Sequence, residues 1–477
     1  MEKKIVFAVA PNIDGRRPER SFGCSFTNYP MPNLGLLTVA AILDKEGHNV
    51  EIVDDPNYNW EMFEEKLESE NADYYIFHTP ILATNIDIDV AKKLLEKKPD
   101  AKIIFFGPHP TYTPKKFLFD ERVVIARGEA DYIIKDLVEG KPAAEIKGVS
   151  YLKDGEMVEN ETAGIIMNIN ELPIPARWLD KHSYANPKLS GKKYTNILTT
   201  RGCAYQCYYC VPNSISWARE LEWKRFNKGK PPVTKRSPEA VLEEVKALVK
   251  QGYKEFSFID DQFVWEKTRT LDMLNGLKQL NIKYGILARA DRLTDEEIIK
   301  TLADSGCQYI DIGVESFDQE VLNYIKKGMR VESVYKAIEL LNKYGITPKV
   351  NIMFGTSPNE TKESIIETIK KTKALPIDYC MFSIATPFPG TEFEQHCKDQ
   401  GWMTENADDE RIYENLNPAK RSLIKHKYLS PEDLEKLTRQ ANREFYLRPS
   451  VMVKQIRKTK TIKGLHEGAR TLFKLIK

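Results

Sequence analysis

No run of about 18 or more uninterrupted apolar residues occurs in the chain, so no ordinary bilayer-spanning helix is expected. Cysteine is scarce, with seven in 477 residues. The number is odd, and three of the seven fall within eight residues, Cys203 to Cys210. That is unlike a secreted disulfide framework and fits a reducing, cytoplasmic setting. A dominant charge is missing: Lys and Arg total 71 against 69 Asp and Glu. The balance argues neither for nor against nucleic acid, and no nucleic-acid partner is expected. The GxGxxG turn is absent, which disfavours NAD. A second CxxC pair is absent as well, and Cys24, Cys307, Cys380 and Cys397 stand singly. The opening MEKKIVFAVAP has a short apolar run followed by Asn, Asp and Arg, and reads as a first strand rather than a signal peptide.

What is present is a regular alternation. KIVFAVAP, NVEIVDD, ADYYIFHTP, AKIIFFGPHPT and VVIARGEAD are short apolar runs. Helical patterns at Leu34–Lys45, Trp60–Glu70 and Asp89–Lys97 separate the first four. Such runs between helices predict a parallel sheet covered on both faces. Ligands bind at the C-terminal ends of such strands. Those ends carry Pro11, Asp54, Thr79, Pro80, Gly107, His109, Arg127, Gly128 and Glu129. The next stretch reads differently. GVSYLKDGEMVEN predicts a hairpin turning at Asp154-Gly155. NELPIPARWLD at 170–180 is proline-interrupted and reads as an extended linker.

TNILTTRGCAYQCYYC at 195–210 is the most informative stretch. A β-branched strand runs into glycine and the pattern C-x3-C-x2-C. Cys203, Cys207 and Cys210 could ligate three irons of a [4Fe-4S] cubane. The fourth iron would stay open to S-adenosylmethionine (SAM), and an electron passed into its sulfonium bond would release a 5′-deoxyadenosyl radical. Zinc is the rival, but structural zinc normally needs four protein ligands. Further strands follow at 255–263, 284–291, 309–317, 348–361 and 378–393. With the first they make six, as for a partial (β/α)6 barrel, where polar residues at strand ends read as functional. These are Asp260, Asp261, Arg289, Asp291, Glu315, Ser316, Gly355, Glu360, Thr386 and Pro387. Asp260 or Asp261 could accept hydrogen bonds from the SAM ammonium. Arg289 could meet its carboxylate, and Glu315 with Ser316 its ribose.

These features resemble the radical SAM superfamily. In that resemblance Tyr209, just before the third cysteine, lies near the adenine, and the IMFG segment ending at Gly355, with Glu360, matches the fifth-strand motif. The GVES segment resembles the fourth-strand motif. PNLGLL at 32–37, VEIVDD at 50–55, GPHPT at 107–111 and RGEAD at 127–131 resemble the N-terminal cobalamin-binding domain of many such enzymes. LPxPxR at 172–177 resembles their interdomain segment. The resemblance implies Thr79, Gly107, His109, Gly128 and Glu129 as candidate cobalamin residues. The DxHxxG motif, whose histidine ligates cobalt in mutases, is missing, so cobalamin would bind without that ligand. A degenerate domain that has lost its cofactor is the alternative.

The expected fold is therefore α/β. A Rossmann-like, flavodoxin-type domain spans 1–140, a hairpin and linker 141–194, a TIM-type radical SAM barrel 195–395 and a helical region 396–477. From Val451 the last 27 residues hold eight Lys or Arg and a single acid, Glu467. Interleaved apolar residues such as Ile456, Leu465 and Phe473 could lay this tail on a membrane surface. A solvated tail packed on the barrel is the alternative. The resemblance implies cobalamin-dependent methylation of an unactivated carbon on a small-molecule or lipid-like substrate, with an external electron donor such as flavodoxin or ferredoxin. Radical cyclisation, rearrangement or C–C bond formation stays open, as does a non-catalytic redox or SAM sensor. A methylthiotransferase is disfavoured, because that group carries a second cysteine triplet in its N-terminal domain.

Overall fold

The computed structural model describes residues 2–11, 17–22, 29–55, 57–405, 409, 411–414, 416–417 and 420–458. Cys24 and the tail beyond Lys458 lie outside the described residues. The chain groups into two compact units, Met1–Ala204 with Val211–Asp261, and Tyr205–Cys210 with Gln262–Lys477.

In the first unit the apolar runs become β1 (Lys4–Ala8), β2 (Asn49–Val53), β3 (Tyr74–His78), β4 (Lys102–Phe106) and β5 (Val123–Ala126). They are parallel, in the order β2-β1-β3-β4-β5. Period-two alternation sorts two cores. Ile5, Phe7, Ile76 and Ile104 pack with helices Leu34–Lys45 and Asp131–Val138. Val6, Ala8, Tyr75, Phe77 and Phe105 pack with helices Trp60–Ser69 and Thr84–Lys97. Each large apolar side chain so buried contributes roughly 1.5–3 kcal/mol before chain entropy is set against it. This is the flavodoxin-type order, whose ligand crevice lies where the order reverses, beside β1 and β3.

The expected hairpin is β6 (Val149–Lys153) and β7 (Glu156–Glu159). Asp154 has φ 52° and Gly155 φ 79°, both positive as a two-residue type I′ turn demands. The hairpin does not stand alone: β6 pairs antiparallel with β5 and extends the sheet to seven strands. The proline-interrupted stretch is anchored too. Ala176 N–H donates to Leu37 C=O at 2.9 Å. Arg177 donates to Thr195 Oγ1 at 2.9 Å and Asn196 C=O at 2.7 Å, and it pairs with Glu244 at 2.8 Å. It leads into β8 (Tyr194–Ile197) and the short β9 (Thr200–Arg201). β9 pairs antiparallel with β10 (Thr234–Lys235), and β8 pairs parallel with β11 (Glu255–Phe258). Helix Ser214–Phe226 lies between β9 and β10 in the chain.

The second unit carries β12 (Lys283–Ala288), β13 (Cys307–Glu315), β14 (Thr347–Phe354) and β15 (Tyr379–Ile384), parallel and in sequence order. All six strands expected of the (β/α) repeat are thus present, two in the first unit and four in the second. In the expected helical region 396–477, helices Arg411–Glu414, Pro431–Tyr446 and Pro449–Lys458 are described. Helix Glu392–Asp399 ends near its start, Gly401 takes φ 64°, and an isolated bridge joins Met403 to Ile424. Helix Pro431–Tyr446 then begins on a Ser430/Asp433 capping box and packs on β15 and helix Lys362–Ala374. Of the expected basic tail, helix Pro449–Lys458 is described. Among the described residues no helix is long and apolar enough to cross a membrane.

Candidate active site

The cysteine segment straddles the two units. Cys203 follows Gly202, which takes φ 92° and whose N–H is held by Ser216 Oγ at 2.8 Å. Cys207 and Cys210 sit in the second unit on a turn in which Cys210 N–H reaches Cys207 C=O at 3.2 Å. All three are thiols, half-buried rather than enclosed. Among the described residues no three metal-binding side chains converge on one point. A cubane does not require that, since each thiolate takes a different iron. Tyr208 pins the turn: its N–H donates to Ile325 C=O at 3.3 Å and its hydroxyl to Thr356 C=O. Its ring meets Tyr324 and Phe393 edge-on.

Tyr209 joins a buried polar group at the end of β13. Its hydroxyl lies 3.4 Å from Lys327 Nζ, which pairs with Glu315 Oε1 at 2.9 Å. Glu315 has φ 70°, a left-handed angle costly for a residue with a side chain. The strand register shifts between Gly313 and Glu315. Gly313 makes room, since a Cβ there would stand 2.6 Å from Glu315 Oε1 and 3.0 Å from Lys327 Nζ. Burial, reinforced by the Glu315 carboxylate, pushes the Tyr209 phenol well up, so it stays protonated. Burial works against the Lys327 charge, but Glu315 outweighs it and holds Lys327 above the usual lysine value.

Arg289 lies over the Tyr205 ring at 3.6 Å. Its Nε and Nη2 meet Asp291 at 3.0 and 3.2 Å, and Nη2 also reaches Gly328 C=O at 3.2 Å. Its Nη1 is buried with no hydrogen-bond partner, which leaves one donor for an anion. Just past β14, Gly355 takes φ 77°, and a Cβ there would come within 3.0 Å of Ile424. Its C=O accepts from His426 Nε2 at 2.8 Å. Glu360 accepts from Ser357 N–H at 3.0 Å, and burial lifts its carboxyl to about 7. Ser316 Oγ accepts from Asp318 N–H at 3.1 Å, and Thr386 Oγ1 turns back to Ile384 C=O at 3.5 Å.

The two aspartates after β11 have different roles. Asp260 Oδ1 accepts from Thr199 N–H, Thr199 Oγ1 and Thr200 Oγ1 at 2.9, 3.0 and 2.6 Å, tying the turn after β8. Asp261 Oδ1 accepts from Asn213 N–H at 2.6 Å, while Oδ2 is buried without a partner. Burial raises its carboxyl to about 6. An ammonium donor there would favour the charged form.

At the reversal point of the first sheet, His78 Nδ1 meets Asn33 Oδ1 at 2.9 Å and its ring stacks on Phe106. Burial, with Arg20 nearby, lowers it to about 3, so it is neutral. A Cβ on Gly107 would fall 2.7 Å from His78 Cδ2. Thr79 Oγ1 donates to Asp87 at 2.7 Å, and Arg20 grips the same carboxylate at 2.7 and 2.8 Å. His109 is buried against the rings of Tyr112 and Phe117. Gly128 N–H donates to Thr111 Oγ1 at 3.0 Å, and Glu129 binds Arg201 at 2.8 Å. A cavity of about 40 Å³ remains past the end of β1, between Val9, Ala10, Arg17, Arg20 and Asn33. Asn33 Nδ2 and Arg17 Nη2 are buried there without partners, donors suited to the carbonyls and phosphate on a corrinoid's rim. Sequence reasoning missed Tyr205, Tyr208, Lys327, Asn33 and Arg17. The only signals were position: Tyr205 and Tyr208 lie within the cysteine segment, and Asn33 within PNLGLL.

The comparisons agree with this anatomy. The radical SAM superfamily profile matches residues 197–372, and the B12-binding domain profile matches 26–138. An uncharacterised methyltransferase of Pyrococcus horikoshii is 29% identical over 89% of this chain and 90% of its own. A bacteriochlorophyllide d C-8(2)-methyltransferase of Chlorobaculum tepidum is 26% identical over 78% and 76%. A radical SAM methyltransferase from Kitasatospora setae, solved with cobalamin and a [4Fe-4S] cluster, superposes with TM-score 0.68 over 94% of this chain and 90% of that one. At 17% identity it speaks for the fold alone.

Proposed function

The chain belongs to the radical SAM enzymes that carry an N-terminal B12-binding domain, and we propose that it transfers a methyl group to an unactivated carbon of a small or lipid-like molecule. The observation that carries the SAM site is the group of side chains about the Cys207–Cys210 turn, with the partnerless Arg289 Nη1 beside it. Cys203, Cys207 and Cys210 hold the cluster. Arg289 Nη1 receives the SAM carboxylate, and Asp261 its ammonium. Glu315, with Ser316, meets the ribose, kept aimed by Lys327, while Tyr209, Gly355 and Thr386 line the adenine side. Asp260 supports the turn that leads to Cys203. A corrinoid would be held at the ends of β1, β3 and β4 by Asn33, Arg17, Thr79 and Gly107. His78 Nδ1 is engaged by Asn33, and His109, buried beside Phe117, stays a candidate for the same face together with Gly128. When bound, the cluster supplies an electron to SAM and cobalamin relays the methyl group.

In this reading the cobalamin domain spans 1–140, the hairpin and linker 141–194, the radical SAM repeat 195–395 and the helical region 396–477. The electron comes from an external donor such as flavodoxin or ferredoxin. The basic segment from Val451 supports peripheral contact with an anionic membrane surface, which suits a lipid-like substrate. Flotation with acidic liposomes should fall when 451–477 are deleted; equal flotation removes that part of the proposal.

The central test is anaerobic reconstitution of the full chain with iron, sulfide and hydroxocobalamin, followed by SAM and dithionite. The wild type should form 5′-deoxyadenosine and Cys207→Ser should form none. With the correct substrate, S-adenosylhomocysteine should accumulate beside a methylated product. 5′-Deoxyadenosine without S-adenosylhomocysteine would indicate cyclisation or rearrangement. No 5′-deoxyadenosine at all would leave a redox or SAM sensor.

A further inference from the structure

The RGEAD segment, whose Gly128 and Glu129 stood as cobalamin candidates, is engaged elsewhere. Arg201, two residues before Cys203, is buried, and its guanidinium meets Glu129 Oε1 at 2.8 Å and both oxygens of Asp131 at 2.8 and 3.0 Å. The second oxygen of Glu129 accepts from Ile166 N–H at 2.6 Å. Arg127, also buried, meets Glu222 at 3.0 and 3.2 Å and the carbonyls of Val149 and Asn160 at 3.0 and 2.6 Å.

Helix Ser214–Phe226 closes the set with residues three apart, which fall on one stripe. Ser216 holds Gly202 N–H. Arg219 donates to Arg201 C=O at 3.1 Å and stands 3.9 Å from Glu129. Glu222 takes Arg127. Gly128 allows the approach, since a Cβ there would lie 3.0 Å from Glu222 Cβ. Charges balance: Arg201 and Arg219 face Glu129 and Asp131, and Arg127 faces Glu222. Buried ion pairs stabilise poorly compared with apolar packing, but their geometry admits only one register. All these contacts lie within the first unit.

We infer that Arg127, Glu129, Asp131, Arg201 and Glu222 form an ion-pair lock that fixes the cluster strand against the C-terminal edge of the N-terminal sheet. Glu129 is a positioning residue for Cys203 and not a cobalamin contact. The inference rests on the proposed function only in taking Cys203 as a cluster ligand.

Two measurements test it on the full chain. The variant Glu129→Gln/Asp131→Asn/Arg201→Met removes three of the four facing charges, and Arg219 keeps its hydrogen bonds to Arg201 C=O, Thr234 Oγ1 and Pro232 C=O. In amide hydrogen exchange, segments 127–131 and 200–204 should lose protection together, at least tenfold, while β13 and β14 keep theirs. Unchanged protection in either segment overturns the lock, and this arm needs no cofactor. After reconstitution, iron and cobalamin contents should match wild type. Pulsed electron paramagnetic resonance should then show a broader cluster-to-cobalt separation than wild type. An unchanged separation, or loss of cobalamin with the cluster intact, overturns the positioning role. If the triple variant does not fold, Arg201→Lys keeps the charge and should show the same exchange change at reduced size; wild-type exchange would overturn the lock. Failure of wild type to take up cobalamin would count against the proposed function and leave the exchange result to decide the lock.

Discussion

The ends of β5 and β13 each place a glycine near a buried glutamate, and they use the pair in opposite ways. After β5, Gly128 takes the left-handed angle, φ 70°, and Glu129 is left in relaxed backbone with its carboxylate tied to Arg201. At β13, Gly313 has no such angle and serves only as space, while Glu315 itself takes φ 70°. The first arrangement carries no strain in a side-chain-bearing residue and holds elements together. The second keeps about 1–3 kcal/mol of local strain, sustained by packing and by Lys327, to aim one carboxylate. A motif of glycine and acid therefore does not reveal whether the acid builds the fold or serves a ligand. The backbone angle and the partner reveal it.

Three substitutions sharpen that contrast. Arg201→Met alone leaves Glu129 and Asp131 with only the more distant Arg219, 3.9 Å from Glu129. It should cost roughly 3–5 kcal/mol of stability, read as a fall in the urea midpoint of the cluster-free chain. A loss below about 0.5 kcal/mol would mean that water reaches the site and the lock is loose. Arg289→Met should do the reverse: SAM binding weakens by about 1.5–3 kcal/mol, roughly 10- to 100-fold, with Cys207-bound iron retained. The measurement is the SAM concentration needed to change the spectrum of the reduced cluster, and an unchanged requirement removes Arg289 from the site. Glu360→Gln is the smallest and depends on pH. The folded-state value of about 7 lies above the ordinary 4.5, so the fold favours the protonated form. As pH rises from 4.5 through 7, the folded chain must ionise a buried carboxyl and loses stability. The Gln variant should thus be more stable than wild type at pH 8, by on the order of 1–3 kcal/mol, and equal to it near pH 4.5. A pH-independent difference would show that Glu360 does not titrate in this window.

Much of the architecture was legible in advance. The apolar runs predicted the five parallel strands because a strand buried on both faces has no reason to alternate. Asp154-Gly155 predicted its turn because few residues tolerate two positive φ angles in succession. The candidate site was legible in part. Cys203, Cys207 and Cys210 stood out because their spacing is local. Asp260 and Asp261 looked equivalent as neighbours, yet one ties the turn after β8 and the other holds Asn213 N–H at the start of helix Ser214–Phe226. His109 looked like a strand-end ligand and is packed against Tyr112 and Phe117. Lys327 carries no sequence signal and is buried on Glu315.

The sequence by itself determined the layered α/β order, the cysteine triplet and the strand ends at which chemistry collects. These follow from short-range rules: the period of burial, the angles that turns require, and ligand spacing along the chain. Tertiary structure alone decided which charged groups at those ends close on one another and which remain for a ligand. That depends on partners 70 or more residues away, as for Glu129 and Arg201. Burial makes an unmatched charge costly, so each one is defined by whatever the fold brings to meet it.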